Sequence, residues 1–216
     1  MNVEPFNWDV VIVGYWNRAI LTPNGIAKRL FKLAEGTGIQ VAIPVNLFEP
    51  AQIEHDGIVV RVEERRLIIA TENPSYESLN NAMQTGCNAL RDLPETPVFA
   101  AGFNIRFKIS DHALEFDQIA QSLLDTQLSD AGYEIISRGL IRRIRVKGSI
   151  FEKGVANVLV HKKEDSAVRI ELNFHRDSNS VTDLTEWLNV SAANLQAEVK
   201  KILKSMSLNI EEIEDE

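Results

Sequence analysis

Apolar residues recur along this chain in two periods, every second residue in some stretches and every third or fourth in others. The period of two is clearest in Phe99–Ile109 (FAAGFNIRFKI). There Phe103, Ile105, Phe107 and Ile109 fall on one face of an extended strand, and Asn104, Arg106 and Lys108 on the other. Gly57–Glu64 (GIVVRVEE) alternates in the same way, with Ile58, Val60 and Val62 opposed to Arg61 and Glu63. Asp9–Val13 (DVVIV) is a short, almost continuous apolar run and reads as a buried strand. Ile39–Val45 and Leu67–Glu72 are two further strands, and Pro44 suits an edge position or a bulge. Tyr133–Lys147, Val155–Lys163 and Ala167–His175 complete the set, joined by turns at 148–154 and 163–166.

The helical period predicts four helices. Thr22 can cap and Pro23 suits the first helical position, so a helix runs from there to Glu35, carrying Ile26, Leu30, Leu33 and Ala34, with Gly36 ending it. Asn73-Pro74 opens a second, whose apolar stripe is Tyr76, Leu79, Met83, Cys87 and Leu90. A third spans about Asp111–Leu128, and a fourth Thr182–Met206. The order is β-α-β-β-β-α twice over, so residues 1–96 and 97–208 read as two similar halves, followed by an acidic tail at 209–216. Either an internal duplication or two α+β meanders of like layout gives this order. The expected fold is α+β in two layers: an antiparallel sheet of about eight strands with four helices packed on one side. Alternating strands fit a sheet with one solvated face. In layout this resembles the saddle of TATA-binding-protein-like folds, an analogy of fold that carries no function.

Composition changes the picture little. The chain has 216 residues, 44% hydrophobic and 25% charged, as in an ordinary globular protein. Its one cysteine cannot form an internal disulfide, its N-terminus lacks the basic and apolar regions of a secretory signal, and no apolar run approaches a membrane span. The expected location is cytoplasmic.

Charge is more informative. The net charge is −8, but it is unevenly placed. Residues 111–137 hold six acids and no Lys or Arg; residues 138–176 hold ten Lys/Arg against four acids; residues 177–216 hold three bases against nine acids. Alternation places Arg143, Arg145 and Lys147 on one face of their strand. Arg169, Glu171, Asn173 and His175 share a face of the last strand, and His161 joins them from the strand between. Arg61, Asn104, Arg106 and Lys108 are the matching outward positions of the first half and the central strand. An open, Arg-rich sheet face can hold an anionic ligand such as nucleic acid. It can equally be a wet face whose Arg residues pair with Glu across strands. Base-stacking aromatics are not on that face, since Phe103, Phe107 and Phe174 fall on the apolar side, and the negative net charge opposes nonspecific nucleic-acid binding.

Motifs with a known mechanism are missing: there is no Gly-rich phosphate loop, no H-E-x-x-H, no C-x-x-C and no G-x-S-x-G. No catalytic residue, metal site or cofactor is therefore assigned. His161 and His175 can be neighbours on adjacent strands, with Asp177 or Glu171 nearby, a donor set that suits a transition metal; polar residues on a wet face are the plainer account. Cys87 sits on an apolar stripe, where a thiol behaves as a small hydrophobe. The most unusual local feature is the loop Tyr15-Trp16-Asn17-Arg18, two aromatics, an amide and an Arg after a buried strand, a composition found in binding hot spots and also at the covered ends of cores.

The stretch Asp56–Phe107 carries Asp-Gly, two short strands, Asn-Pro-Ser-Tyr opening a helix, then Pro97 and G-F-N-I-R-F. It resembles a sporadically distributed prokaryotic family with that order of elements and no established activity. The resemblance implies a bacterial protein and assigns no site residue. The function expected is a non-enzymatic interaction or assembly protein. The candidate ligand-binding residues are Tyr15, Trp16, Asn17, Arg18, Arg143, Arg145, His161, Arg169 and His175. Two alternatives stand beside it: polyanion or nucleic-acid binding on the Arg-rich face, and an enzyme without a recognisable motif. The expected partner is a second copy in a dimer, or another protein, rather than nucleic acid or a membrane. Basic strands whose Arg143, Arg145 and Arg169 lack partners in their own molecule would face acidic helices or the acidic tail of the other.

Overall fold

The computed structural model describes residues 3–46, 49–109, 123–135, 139–149, 151–162 and 168–206. It is a mixed α+β structure built on one large antiparallel sheet. The strands are β1 (Val3–Pro5), β2 (Asp9–Gly14), β3 (Gln40–Ala42), β4 (Gln52–His55), β5 (Ile58–Val62), β6 (Arg66–Thr71), β7 (Val98–Ile109), β8 (Gly139–Ile144), β9 (Val155–Lys162) and β10 (Val168–Asp177). The helices are α1 (Pro23–Arg29), α2 (Tyr76–Asp92), α3 (Leu123–Asp130), α4 (Val181–Leu188) and α5 (Ala192–Ser205).

The sheet runs β3-β4-β5-β6-β2-β7-β10-β9-β8, and β1 lies against the far end of β7. The long strand β7 is the hinge of this order: β2 pairs with its first part, Asp9 opposite Asn104, and β10 pairs along nearly its whole length. On each side a meander returns from the edge of the sheet to a central strand, β3-β4-β5-β6 to β2 and β8-β9-β10 to β7.

Ten strands replace the expected eight among the described residues, and five helices replace four. The added strands are β1 and β4. The β4–β5 hairpin turns on Asp56 (φ 47°) and Gly57 (φ 69°), two left-handed residues that give a tight turn matched to the strand twist. The last expected helix divides into α4 and α5, because Asn189 ends one and the Ser191 side chain caps the next by accepting from the Asn194 N–H. Helix α1 stops at Arg29 rather than Glu35, and the chain then leaves the helix through Lys32 at φ 59°. Helix α2 is capped by Ser75, not Asn73: Ser75 and Ser78 exchange side-chain and backbone hydrogen bonds in a capping box. Much of the expected third helix lies outside the described residues; α3 is its end. Likewise β8 is shorter than the Tyr133–Lys147 expected, so Arg145 falls beyond it.

One face of the sheet is the core. Val10, Ile12, Val60, Leu67, Ile69, Phe103, Ile105, Phe107, Ile170, Leu172 and Phe174 are buried there, continuous from β5 to β10. Trp187 of α4 stacks on Phe103, and Phe151 packs edge-on against both rings. Helix α2 lies so close to the sheet that a methyl added at Gly86 would touch Leu188, Ile12 and Ile69 at 3.2–3.5 Å. Helix α1 is tied to α2 by Asn88 Nδ2 donating to the Leu30 carbonyl, and α5 packs on α2. Helices α1, α2, α4 and α5 thus share one side, which leaves the other face of the sheet without any of the four. Among the described residues no helix is long and apolar enough to cross a membrane.

Candidate functional site

Strand register brings together, on the face that α1, α2, α4 and α5 leave uncovered among the described residues, residues that lie far apart in sequence. Arg143 of β8 stands beside Asn157 of β9, Asn157 beside Asn173 of β10, Asn173 beside Asn104 of β7, and Asn104 beside Asp9 of β2. The amides form a directional ladder. Asn157 Nδ2 donates to Asn173 Oδ1 at 2.9 Å, Asn173 Nδ2 to Asn104 Oδ1 at 2.7 Å, and Asn104 Nδ2 to Asp9 Oδ1 at 2.5 Å. Arg106 Nη1 donates to the other Asp9 oxygen at 2.7 Å and to the Asn7 carbonyl, while its Nε reaches Glu171 Oε2 at 3.4 Å. The ladder therefore ends in a carboxylate whose charge is balanced by a clamped guanidinium.

Two elements fix this geometry. The strands hold the asparagines in line because all three occupy outward positions of paired strands. Behind Arg106 the backbone is anchored by Trp8, fully buried, whose Nε1 donates to the Arg106 carbonyl at 2.8 Å and whose ring packs edge-on against Tyr76 and Phe107. Each ladder amide donates one N–H along the row, and Asn173 and Asn104 each also accept one bond, so every amide keeps hydrogen-bonding capacity beyond the ladder. Such a row can recognise main-chain amides or carboxylates laid across it. The next row along β10 holds Arg106, Glu171 and Leu159, and the row after it Lys108, Arg169 and His161, again side by side.

The sequence-predicted residues distribute as follows. His161, Arg169 and His175 are on the uncovered face, as alternation places them, and Arg143 is exposed at its edge. Arg169 has a partner, contrary to expectation: its guanidinium lies over the Phe6 ring, 5.6 Å from the centroid. His161 and His175 are not neighbours. His161 pairs with Arg169, six residues before His175, so roughly 20 Å of strand separates them, too far to share a metal ion. His175 Nε2 instead meets Asp177 Oδ1 at 2.8 Å. Among the described residues no group of three His, Cys, Asp or Glu is placed to hold a metal ion.

The loop after β2 is at the other end of the sheet from His161. Trp16 is buried and its Nε1 donates to the Ile12 carbonyl at 3.1 Å, so it covers the core. Tyr15 is half exposed, edge-on to Phe99 with Arg65 over its ring. The Asn17 side chain accepts from the Ala19 N–H and shapes the turn, and Arg18 is exposed. The nine candidates therefore do not form one site.

Asn157, Asp9 and the ladder itself are what sequence reading missed. Asparagine is depleted in strands, yet it appears three times in mid-strand between apolar neighbours: Phe103-Asn104-Ile105, Ala156-Asn157-Val158 and Leu172-Asn173-Phe174. That recurrence is the signal that finds them.

Titration behaviour away from the ladder is local. Desolvation, and then the Glu72 carboxyl beside it, raise the Glu54 pKa above the ordinary value. For Asp183, desolvation pushes up, but hydrogen bonds from Ser178 and Arg176 and the nearby cations outweigh it and the net is a lowered pKa. Burial pushes the Cys87 thiol up to about 11, which leaves it protonated and unreactive at neutral pH. No family model matches the chain, and no curated protein matches it.

Proposed function

We propose that the protein is a non-enzymatic interaction module whose working surface is the uncovered face of the sheet, and that the segment it accepts is acidic. The observation that carries this reading is the ladder from Asn157 to Asp9, preorganised across four strands on a face that none of the four packed helices covers. Hydrogen-bonding groups fixed in this way lose little freedom when a partner arrives, so more of their interaction energy is available to binding. The sign of the partner follows from the flank. Arg143 stands at the Asn157 end of the ladder and Lys108, Arg169 and His161 form a basic row two rows along it, while Asp9 is balanced by Arg106, and Arg106 also reaches Glu171. Electrostatic matching of this kind sets specificity and rate, and salt weakens it. The paired meanders on the two sides of β2 and β7 further support reading the chain as two like halves that build one surface.

The chain's own last six residues, Glu-Glu-Ile-Glu-Asp-Glu, supply a suitable probe. A labelled peptide of that sequence is expected to raise its fluorescence anisotropy with added protein at low salt, to lose the signal at high salt, and to bind more weakly to Arg143→Glu. Equal behaviour of the acidic peptide and an uncharged one of the same length would overturn the reading. Salt-resistant retention on heparin, with no peptide binding, would move it to a polyanion ligand.

A further inference from the structure

An open sheet ends in two edge strands, and this chain treats its two edges differently. At one end is β8, the outermost strand on that side among the described residues, where Arg142 and Arg143 are exposed. Charged side chains on an edge are a common guard against pairing with another chain. At the other end is β3, whose one neighbour among the described residues is β4, with Val41 opposite Ile53. From Thr37 to Phe48 the sequence has no charged residue, in a chain where a quarter of residues are charged. Val41, Ile43 and Val45 are 42, 80 and 102% exposed, at alternating positions. Val41 continues the apolar side of the sheet beyond Ile53.

We propose that β3 is a self-association edge, on which a second copy of this chain pairs antiparallel through its own β3 and closes a two-fold dimer with one sheet running through both molecules. The occupant follows from charge. An antiparallel β3 pair sets a neutral strand against itself, with Val and Ile side chains meeting across the two-fold and no like charges opposed. A β8 pair would oppose Arg142 and Arg143 to their own copies. Pairing β3 of one molecule with β8 of the next would leave a free edge at each end and grow a filament, and the Arg residues on β8 oppose it. Pro44 has no N–H and stops the ladder, so the pairing is short and the dimer dissociates on dilution. The expected homodimer is thus carried by main-chain and apolar contacts rather than by Arg143 and Arg145. It is independent of the binding reading for the uncovered face.

Sedimentation velocity on the full chain over a dilution series tests it. The wild type is expected as a dimer at high protein concentration, persisting at high salt. Ile43→Lys, at an exposed position outside the strand, is expected to raise the dissociation constant by about tenfold or more, since two lysines then meet near the two-fold. Val41→Lys should do the same within the strand, with circular dichroism showing that it still folds. Arg143→Glu should leave sedimentation unchanged while weakening acidic-peptide binding, which separates the two readings. Amide exchange at residues 40–42 should slow as protein concentration rises. A strict monomer at the highest concentration, or a dimer that Ile43→Lys leaves intact, would overturn the proposal.

Discussion

At the scale of single residues, the face opposite α1, α2, α4 and α5 shows how polar side chains can be held in a sheet by one another. Asn104, Asn157 and Asn173 each satisfy a neighbour, and Asp9 takes donors from both an amide and a guanidinium. Glu54 is in the opposite condition. It stands on the same face but beside Glu72, and its pKa is raised first by desolvation and then by that neighbour. A raised carboxyl pKa means that folding favours the protonated form. Its contribution is fully present below the ordinary glutamate value of about 4.3 and is lost as pH rises through the raised value. At neutral pH the ionised Glu54 therefore works against the fold, and Glu54→Gln should raise the thermal midpoint there while giving no gain at a pH below that ordinary value. Thermal melts at the two pH values check this; an equal shift at both would mean that the amide acts through packing rather than charge.

Elements are where sequence and structure agree most and where their difference has a clear cause. The strand β7 was legible because a long alternation leaves one register of faces, and that register also placed Arg106, Arg169 and His161 outward. Strand β4 was legible in principle, since Asp56-Gly57 between alternating residues marks a two-residue hairpin, but the strand before the turn is only four residues long. The ladder was not legible, because which asparagine stands beside which depends on pairings between residues 16 to 95 positions apart. The break between α4 and α5 lay in a short signal, Asn189-Val190-Ser191, inside a continuous helical period. That break makes a prediction. Ser191 caps α5 by accepting from the Asn194 N–H, and Ser191→Ala should lower stability by about 1 kcal/mol. Urea titration followed by circular dichroism measures it, and a loss near zero would show that the turn, not the cap, starts the helix.

At the scale of the whole molecule the two halves are joined twice. Strand β2 of the first half pairs with β7 of the second, and helix α2 of the first packs against α4 and α5 of the second. The buried residues form one cluster that includes Trp8, Ile12 and Met83 on one side and Phe103, Phe174 and Leu188 on the other. Separating the halves would expose the edge of β2 and the apolar side of α2 together, so neither has an independent core and unfolding should be a single transition. The three tryptophans allow a direct measurement. Trp8 and Trp16 belong to the first half and Trp187 to the second, so a Trp187→Phe background leaves the two first-half tryptophans as reporters, Trp16 within that half and Trp8 where it meets Arg106 and Phe107 of the other. Leu188 is fully buried in the second half, in α4, against the position of Gly86. Leu188→Ala should cost about 3 kcal/mol through lost burial and the cavity left behind. If the halves unfold together, the fluorescence midpoint of Trp8 and Trp16 in urea should fall by the same amount as the midpoint from circular dichroism. A fluorescence midpoint that stays in place while the dichroism transition splits in two would show that the shared sheet does not bind the halves into one cooperative unit.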